Sequence, residues 1–251
     1  MKRVLGILSI AVAAMPAAAD NTAAQTSVEL SGEVFRLSND TPDWRAQSAR
    51  IIYKHGPRDV REVTLTRTSR FGLTDQQIGG VYSMPIGDRL TATLAANFSP
   101  SHRVLARHGV DASLQYEFAP AWLLHGGLGN NRYDQVNVNQ GRLALEHYFS
   151  SFSVVAAWRP VRAFGVDTAS SEFRANYYYA DHSFVGVSVS HGREATFVNA
   201  GSVVLANVRS AALTGRHELP RHWAIRYALT HTRQGDFHSR DGVQLGVEYR
   251  F

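Results

Sequence analysis

The final stretch of the chain, residues 241–251, reads DGVQLGVEYRF and limits what the whole sequence can fold into. Val243, Leu245, Val247, Tyr249 and Phe251 are apolar, while Gln244, Glu248 and Arg250 between them are polar. A period of two marks a β-strand with one oily face and one wet face. A soluble domain rarely buries its last side chain, because chain ends fray unless something holds them. The same alternation recurs over residues 90–98, 110–118, 173–179, 185–189 and 223–229. Segments of about ten residues match tilted strands that cross a bilayer. No 3.6-residue periodicity competes with them after Asp20.

The beginning of the chain fits export. Lys2 and Arg3 precede an apolar run over residues 4–14, and Pro16-Ala17-Ala18-Ala19 offers the small residues a signal peptidase needs. Residues 1–19 are expected to be a cleaved signal peptide, and residues 20–251 a single outer-membrane β-barrel domain. The apolar run is too short for the ~20 residues of a spanning helix. There is no cysteine, so no disulfide supports the exported fold. Of the 26 basic residues only Lys2 and Lys54 are lysines. Arginine pairs better with desolvated carboxylates, although codon usage explains the bias equally well. The charges are spread along the chain, which speaks against a nucleic-acid partner.

The connections alternate between two kinds. Gly87-Asp88, Ala119-Pro120, Ser150-Ser151, Asp181-His182 and Pro220-Arg221 read as tight turns. Residues 99–107, 133–136, 163–168, 192–201 and 234–239 read as longer, more polar loops. This is the wiring of a transmembrane up-and-down antiparallel β-barrel, all-β, with about fourteen strands and twelve as the alternative count. The first strand is expected near residues 28–37, and the tight turns on the periplasmic side. Trp44, Tyr82, Phe98, Tyr116, Trp122, Phe149, Trp158, Tyr179, Phe184, Trp223 and Tyr249 lie mostly near segment ends, where amphipathic rings sit at headgroup level. A soluble sandwich would not sort them so, and would have edges to protect. Lipid and lipopolysaccharide are then the partners of the outer face.

Residues 69–77, SRFGLTDQQ, carry a family resemblance. They are similar to the hallmark of the YaiO family of bacterial outer-membrane β-barrels. Trp44 at the head of a strand ending in Tyr53, Tyr82 before Pro85, and Phe98-Ser99-Pro100 support it. A looser likeness runs on to Phe251. Where an aromatic-proline pair is expected after Ser-Pro, this chain has Ser101-His102-Arg103, so that loop departs from the pattern. The resemblance implies a barrel associated with surface carbohydrate systems. Some members are fused to periplasmic helical repeats; with the first strand expected within about ten residues of the cleavage site, neither such repeats nor an N-terminal plug is expected here. Phe251, with Tyr249, resembles the C-terminal signal read by the barrel-assembly machinery.

Motifs for chemistry are weak. His217, Glu218 and His222 lack the four-residue histidine spacing of a helical zinc motif, and Pro220 intervenes. The glycines at 126, 127 and 129 precede no helix that could cradle phosphate. His147 falls in the lipid-facing register near Ser150 and Ser151, and His238-Ser239 in a loop. Nucleophilic catalysis needs a base within reach of the hydroxyl and a third group orienting it. The sequence establishes neither pairing, and each histidine reads more simply as an interfacial polar residue. No enzyme activity, metal or cofactor is expected. The wet face is richer. Arg70, Arg142, Glu146, Arg174, Arg226 and Glu248 are expected to line the lumen, with Arg50, Lys54, Glu62, Asp111, Glu117, Arg159, Arg216, Glu218 and Arg250. The expected function is a passive pore or export conduit for a polysaccharide or anionic solute. A structural or adhesive barrel with a blocked lumen is the alternative, and an acyl- or lipid-modifying enzyme the second.

Overall fold

The computed structural model describes residues 24–38, 41–180, 182–199 and 202–251. The signal peptide expected over residues 1–19 lies outside them. Fourteen strands appear among the described residues: β1 Gln25–Leu37, β2 Trp44–Lys54, β3 Val60–Arg70, β4 Leu73–Pro85, β5 Leu90–Phe98, β6 His108–Ala119 and β7 Trp122–Arg132. They continue with β8 Asn137–Phe149, β9 Phe152–Ala163, β10 Val166–Ala180, β11 Ser183–Asn199, β12 Ser202–Glu218, β13 Trp223–Gln234 and β14 His238–Arg250. Each pairs antiparallel with its sequence neighbours, and β14 closes against β1. At that seam Val28 faces Tyr249, Leu30 faces Val247 and Val34 faces Val243.

The apolar half of each alternating strand points outward. Leu128 is 74 % exposed and Leu30 is 62 % exposed, and exposed apolar residues continue around the barrel. Such a surface is tolerable only against lipid. No helix among the described residues is long and apolar enough to cross a membrane.

The outward aromatics gather mainly at the rim that carries the chain termini. Trp122 stacks on His147 at 3.9 Å, and His147 on Phe149 at 5.6 Å. Phe149, Phe152 and Tyr177 continue the row, as do Trp223, Tyr249 and Phe251 beyond it. Two of the expected belt residues face inward instead. Trp44 is buried among Phe35, Leu37 and Phe71, and Phe184 packs on Tyr178 in the interior.

The two ends differ less in loop length than the sequence suggests. Residues 163–168 and 192–201 are largely strand: β9 ends at Ala163, β10 starts at Val166, and β11 runs to Asn199. Their polarity reflects strands that continue past the apolar belt into water. The longest connection, residues 99–107, does lie at the crown, the rim opposite the termini. Two crown turns, Phe71-Gly72 and Phe164-Gly165, have positive φ at both residues (54° and 75°, 54° and 76°). That is the geometry of a two-residue hairpin whose twist suits the strands. Phenylalanine is unusual there. Each ring packs inward, Phe71 on Trp44 and Phe164 beside Val136, Val138 and Ala163.

Candidate functional site: a charged interior with a narrowed crown

Strand register turns Arg70, Arg142, Glu146, Arg174, Arg226 and Glu248 toward the interior, because each alternates with an outward apolar neighbour or pairs with an inward residue. They do not form one cluster. Three groups occupy different parts of the wall.

The first bridges the seam near the terminal rim. Glu29 and Glu248 face each other directly across β1 and β14, an arrangement of like charges that repels unless compensated. Arg226 Nε lies 3.1 Å from Glu29 and 3.4 Å from Glu248. Arg50 holds Glu29 at 2.7 Å and Glu62 at 3.2 Å. Arg216 holds Glu248 at 3.3 Å and Glu218 at 3.0 Å, and Arg250 reaches Glu218 at 2.7 Å. Glu248 is 2 % exposed, whereas a third of the Arg226 side chain is accessible (34 %). The second group lies on β7 to β10. Glu172 pairs with Arg174 at 2.6 Å and Arg159 at 2.9 Å, with Arg142 within electrostatic reach. His125 binds Glu146 at 2.9 Å.

The third group narrows the crown. Trp44, at the start of β2, has the Arg70 guanidinium 4.8 Å and the Arg240 guanidinium 5.3 Å from its ring centroid. His238 and Phe71 meet the same ring edge-on. Glu33 on β1 lies within electrostatic reach of Arg70, and Glu194 on β11 within reach of Arg240. Tyr133, in the connection between β7 and β8, senses both Arg70 and Glu194 from the opposite wall. Burial pushes its phenol above the usual range, with Glu194 acting in the same direction and Arg70 against it.

Asp75 explains how the crown is shaped. Its carboxylate is fully buried and accepts the backbone N–H groups of Val104 at 2.6 Å and Leu105 at 3.0 Å. Arg103 Nε lies 3.4 Å away, and another Arg103 nitrogen donates to the Thr74 carbonyl. The connection 99–107 is thereby pinned to β4, and His102 ties it to Asp134 at 2.9 Å. The departure at Ser101-His102-Arg103 supplies several of these contacts. Asp75, Trp44 as an interior residue, Arg240, Glu29, Glu172 and His125 were not singled out for the interior by sequence reasoning. Asp75 lies inside the 69–77 motif, which was the available signal.

Two of the histidines weighed for chemistry, His147 and His217, are engaged by neighbouring groups. His147 Nδ1 hydrogen-bonds the Ala121 carbonyl at 3.2 Å, and the ring sits between Trp122 and Phe149. His217 faces outward, stacked on Tyr227 and hydrogen-bonded to the Tyr179 hydroxyl. Among the described residues no group of three or more His, Asp or Glu gathers as metal ligands.

A closed fourteen-stranded ladder with an apolar outside and a charged inside defines an outer-membrane β-barrel. The sequence matches the YaiO membrane beta barrel domain over residues 25–197, and the chain belongs to that family. The match stops before β12, so the last three strands lie beyond it. No curated protein matches the sequence. Among solved structures, the chain is similar to the CymD monoaromatic hydrocarbon channel (9 % identity, TM-score 0.60, covering 90 % of this chain and 87 % of that one). It is also similar to Salmonella typhi OmpF in complex with daunomycin (9 %, 0.54, 91 % and 97 %). A third is the translocator domain of the autotransporter NalP from Neisseria meningitidis (11 %, 0.51, 92 % and 90 %). At these identities the likeness concerns the fold.

Proposed function

We propose that the protein is a passive pore or export conduit of the outer membrane, favouring anionic or hydroxyl-rich solutes and serving a surface-glycan system. The observation that carries this reading is the span of the interior ion pairs. Arg50–Glu29, Arg226–Glu248, Arg216–Glu248, Arg250–Glu218, Arg159–Glu172 and His125–Glu146 each join residues no more than two strands apart in the ring. They line the wall rather than cross it. Fourteen strands about 4.8 Å apart and tilted by about 40° give a backbone radius of about 14 Å. Eight strands enclose a space that side chains can fill, whereas this radius leaves room between opposite walls. Arginine suits such a lining, because it stays charged and donates along a planar fork to carboxylates and phosphates.

In this reading the termini face the periplasm, lipopolysaccharide and other lipids cover the belt, and the barrel-assembly machinery reads Tyr249 and Phe251. One observation favours a second reading, a structural barrel with a closed mouth: at the crown Trp44 is 2 % and Arg240 5 % exposed. Single cysteines at positions 174 and 226 separate the two, since the chain has no other cysteine. Modification of both by a small charged thiol reagent added from the crown side is expected of a conduit. Protection of both, in a barrel verified as folded, favours the closed mouth.

A further inference from the structure

The crown group contains more hydrogen-bond donors than its neighbours satisfy. Trp44 Nε1, His238 Nε2 and the Nε and Nη1 atoms of Arg240 are buried and have no hydrogen-bond partner. These residues are 2 %, 8 % and 5 % exposed, so water at the surface does not serve them. A buried unpaired donor costs free energy, and a buried unpaired guanidinium nitrogen costs more than a neutral one. Three such donors, with the His238 ring nitrogen beside them, are not explained by packing within one aromatic cluster. Packing has nevertheless been arranged with care. Phe35 packs against Gly242, where an added Cβ would meet the ring carbons and the Thr230 hydroxyl, and it shares a buried cluster with Leu37 and Trp44.

We infer that Arg240, Trp44, His238 and Arg70 form a binding site at the crown of the lumen for an acidic saccharide, with the donors taking its carboxylate or other anionic group. The neighbouring Glu33 and Glu194 accept hydrogen bonds from hydroxyls of the same ligand. The mixture argues for a sugar acid over a bare anion. Arginine forks and an indole N–H recognise the charge, while carboxylates at the margin suit polyols and repel a simple anion. Aromatic bodies with polar tips exclude water from the pair, which strengthens it. The inference rests on the conduit reading in one respect, that the ligand arrives through the crown mouth. Binding itself does not require conduction.

The test is therefore a binding measurement on the refolded, heat-modifiable protein in detergent micelles. Tryptophan fluorescence is followed while D-glucuronate, inorganic phosphate or glucose is added. Saturable quenching by glucuronate is expected, at least tenfold tighter than by glucose, and W44F should abolish the signal. R240Q should weaken glucuronate at least tenfold, while R61Q, at an exposed arginine outside the lumen that packs on Tyr53 and Tyr82, leaves it unchanged. If R240Q does not fold, R70Q serves, with a smaller loss expected because Arg70 is paired with the ring and lies near Glu33. Phosphate binding as tightly as glucuronate would overturn the saccharide assignment, and glucose binding as tightly would overturn the anion site. Absence of saturation by all three would overturn the site altogether. A barrel that conducts yet binds none of them loses this inference alone, and one that binds glucuronate yet never conducts loses the conduit alone.

Discussion

Asp75 shows how one side chain sets the form of an opening. A carboxylate with no exposed surface holds two loop amides and an arginine, each a charge-assisted hydrogen bond of about 1.5–3 kcal/mol. Asp75→Ala should release residues 99–107 with little change in the strands. Proteolysis should cut near Arg103 at least tenfold faster, whereas unchanged cutting would show that the loop is held elsewhere. Tyr133 offers a titration at the same mouth. Its raised pKa favours the neutral form in the folded protein, so its stabilising contribution is complete below the ordinary phenol range near pH 10 and is lost as pH rises through the folded value. An ultraviolet difference titration of wild type against Y133F should show ionisation only above that range, and a step near pH 10 would contradict the burial. The interior arginines were legible because Arg174 sits between Phe173 and Ala175 in an unbroken alternation. Trp44 was not. Along β2 both faces mix polar and apolar residues, with Trp44, Ala46 and Arg50 inside and Arg45, Gln47 and Ile51 outside, so the pattern does not reveal which face is wet.

At the scale of elements, closure is the decisive event. β14 must find β1, and the face-to-face carboxylates Glu29 and Glu248 make that pairing depend on Arg226, Arg50 and Arg216. Arg226→Met should destabilise the barrel by ~3 kcal/mol, because it leaves two buried carboxylates less well paired. A denaturant midpoint equal to wild type would mean that Arg50 and Arg216 suffice. Phe251 donates its backbone N–H to Thr26 at 2.9 Å while its ring stays 74 % exposed on the terminal rim. Deleting it removes one ladder bond and no interior group, yet should lower the outer-membrane level several-fold if assembly reads that ring. Normal levels would remove that role. Strand existence was readable from alternation, and strand length was not. Polarity suggests loops, yet polarity begins where lipid ends, several residues before β11 and β12 stop pairing.

The whole molecule joins an oily outside to a charged inside through a ladder without free edges. Such a ladder resists detergent, so the folded protein should migrate differently in SDS before and after boiling. Fold and strand count were legible because lipid and water impose opposite demands on alternate residues. The crown site was not, since it depends on Arg70, Arg240, Tyr133 and Glu194 meeting from separate parts of the chain. The central claim is that the interior is continuous from rim to rim. Single-channel recording of the refolded protein in a planar bilayer tests it most directly. Discrete conducting steps are expected, with a reversal potential in a salt gradient that favours anions and moves toward cations in R174E and R226E. A bilayer that stays silent, with insertion of folded protein verified, would contradict the conduit.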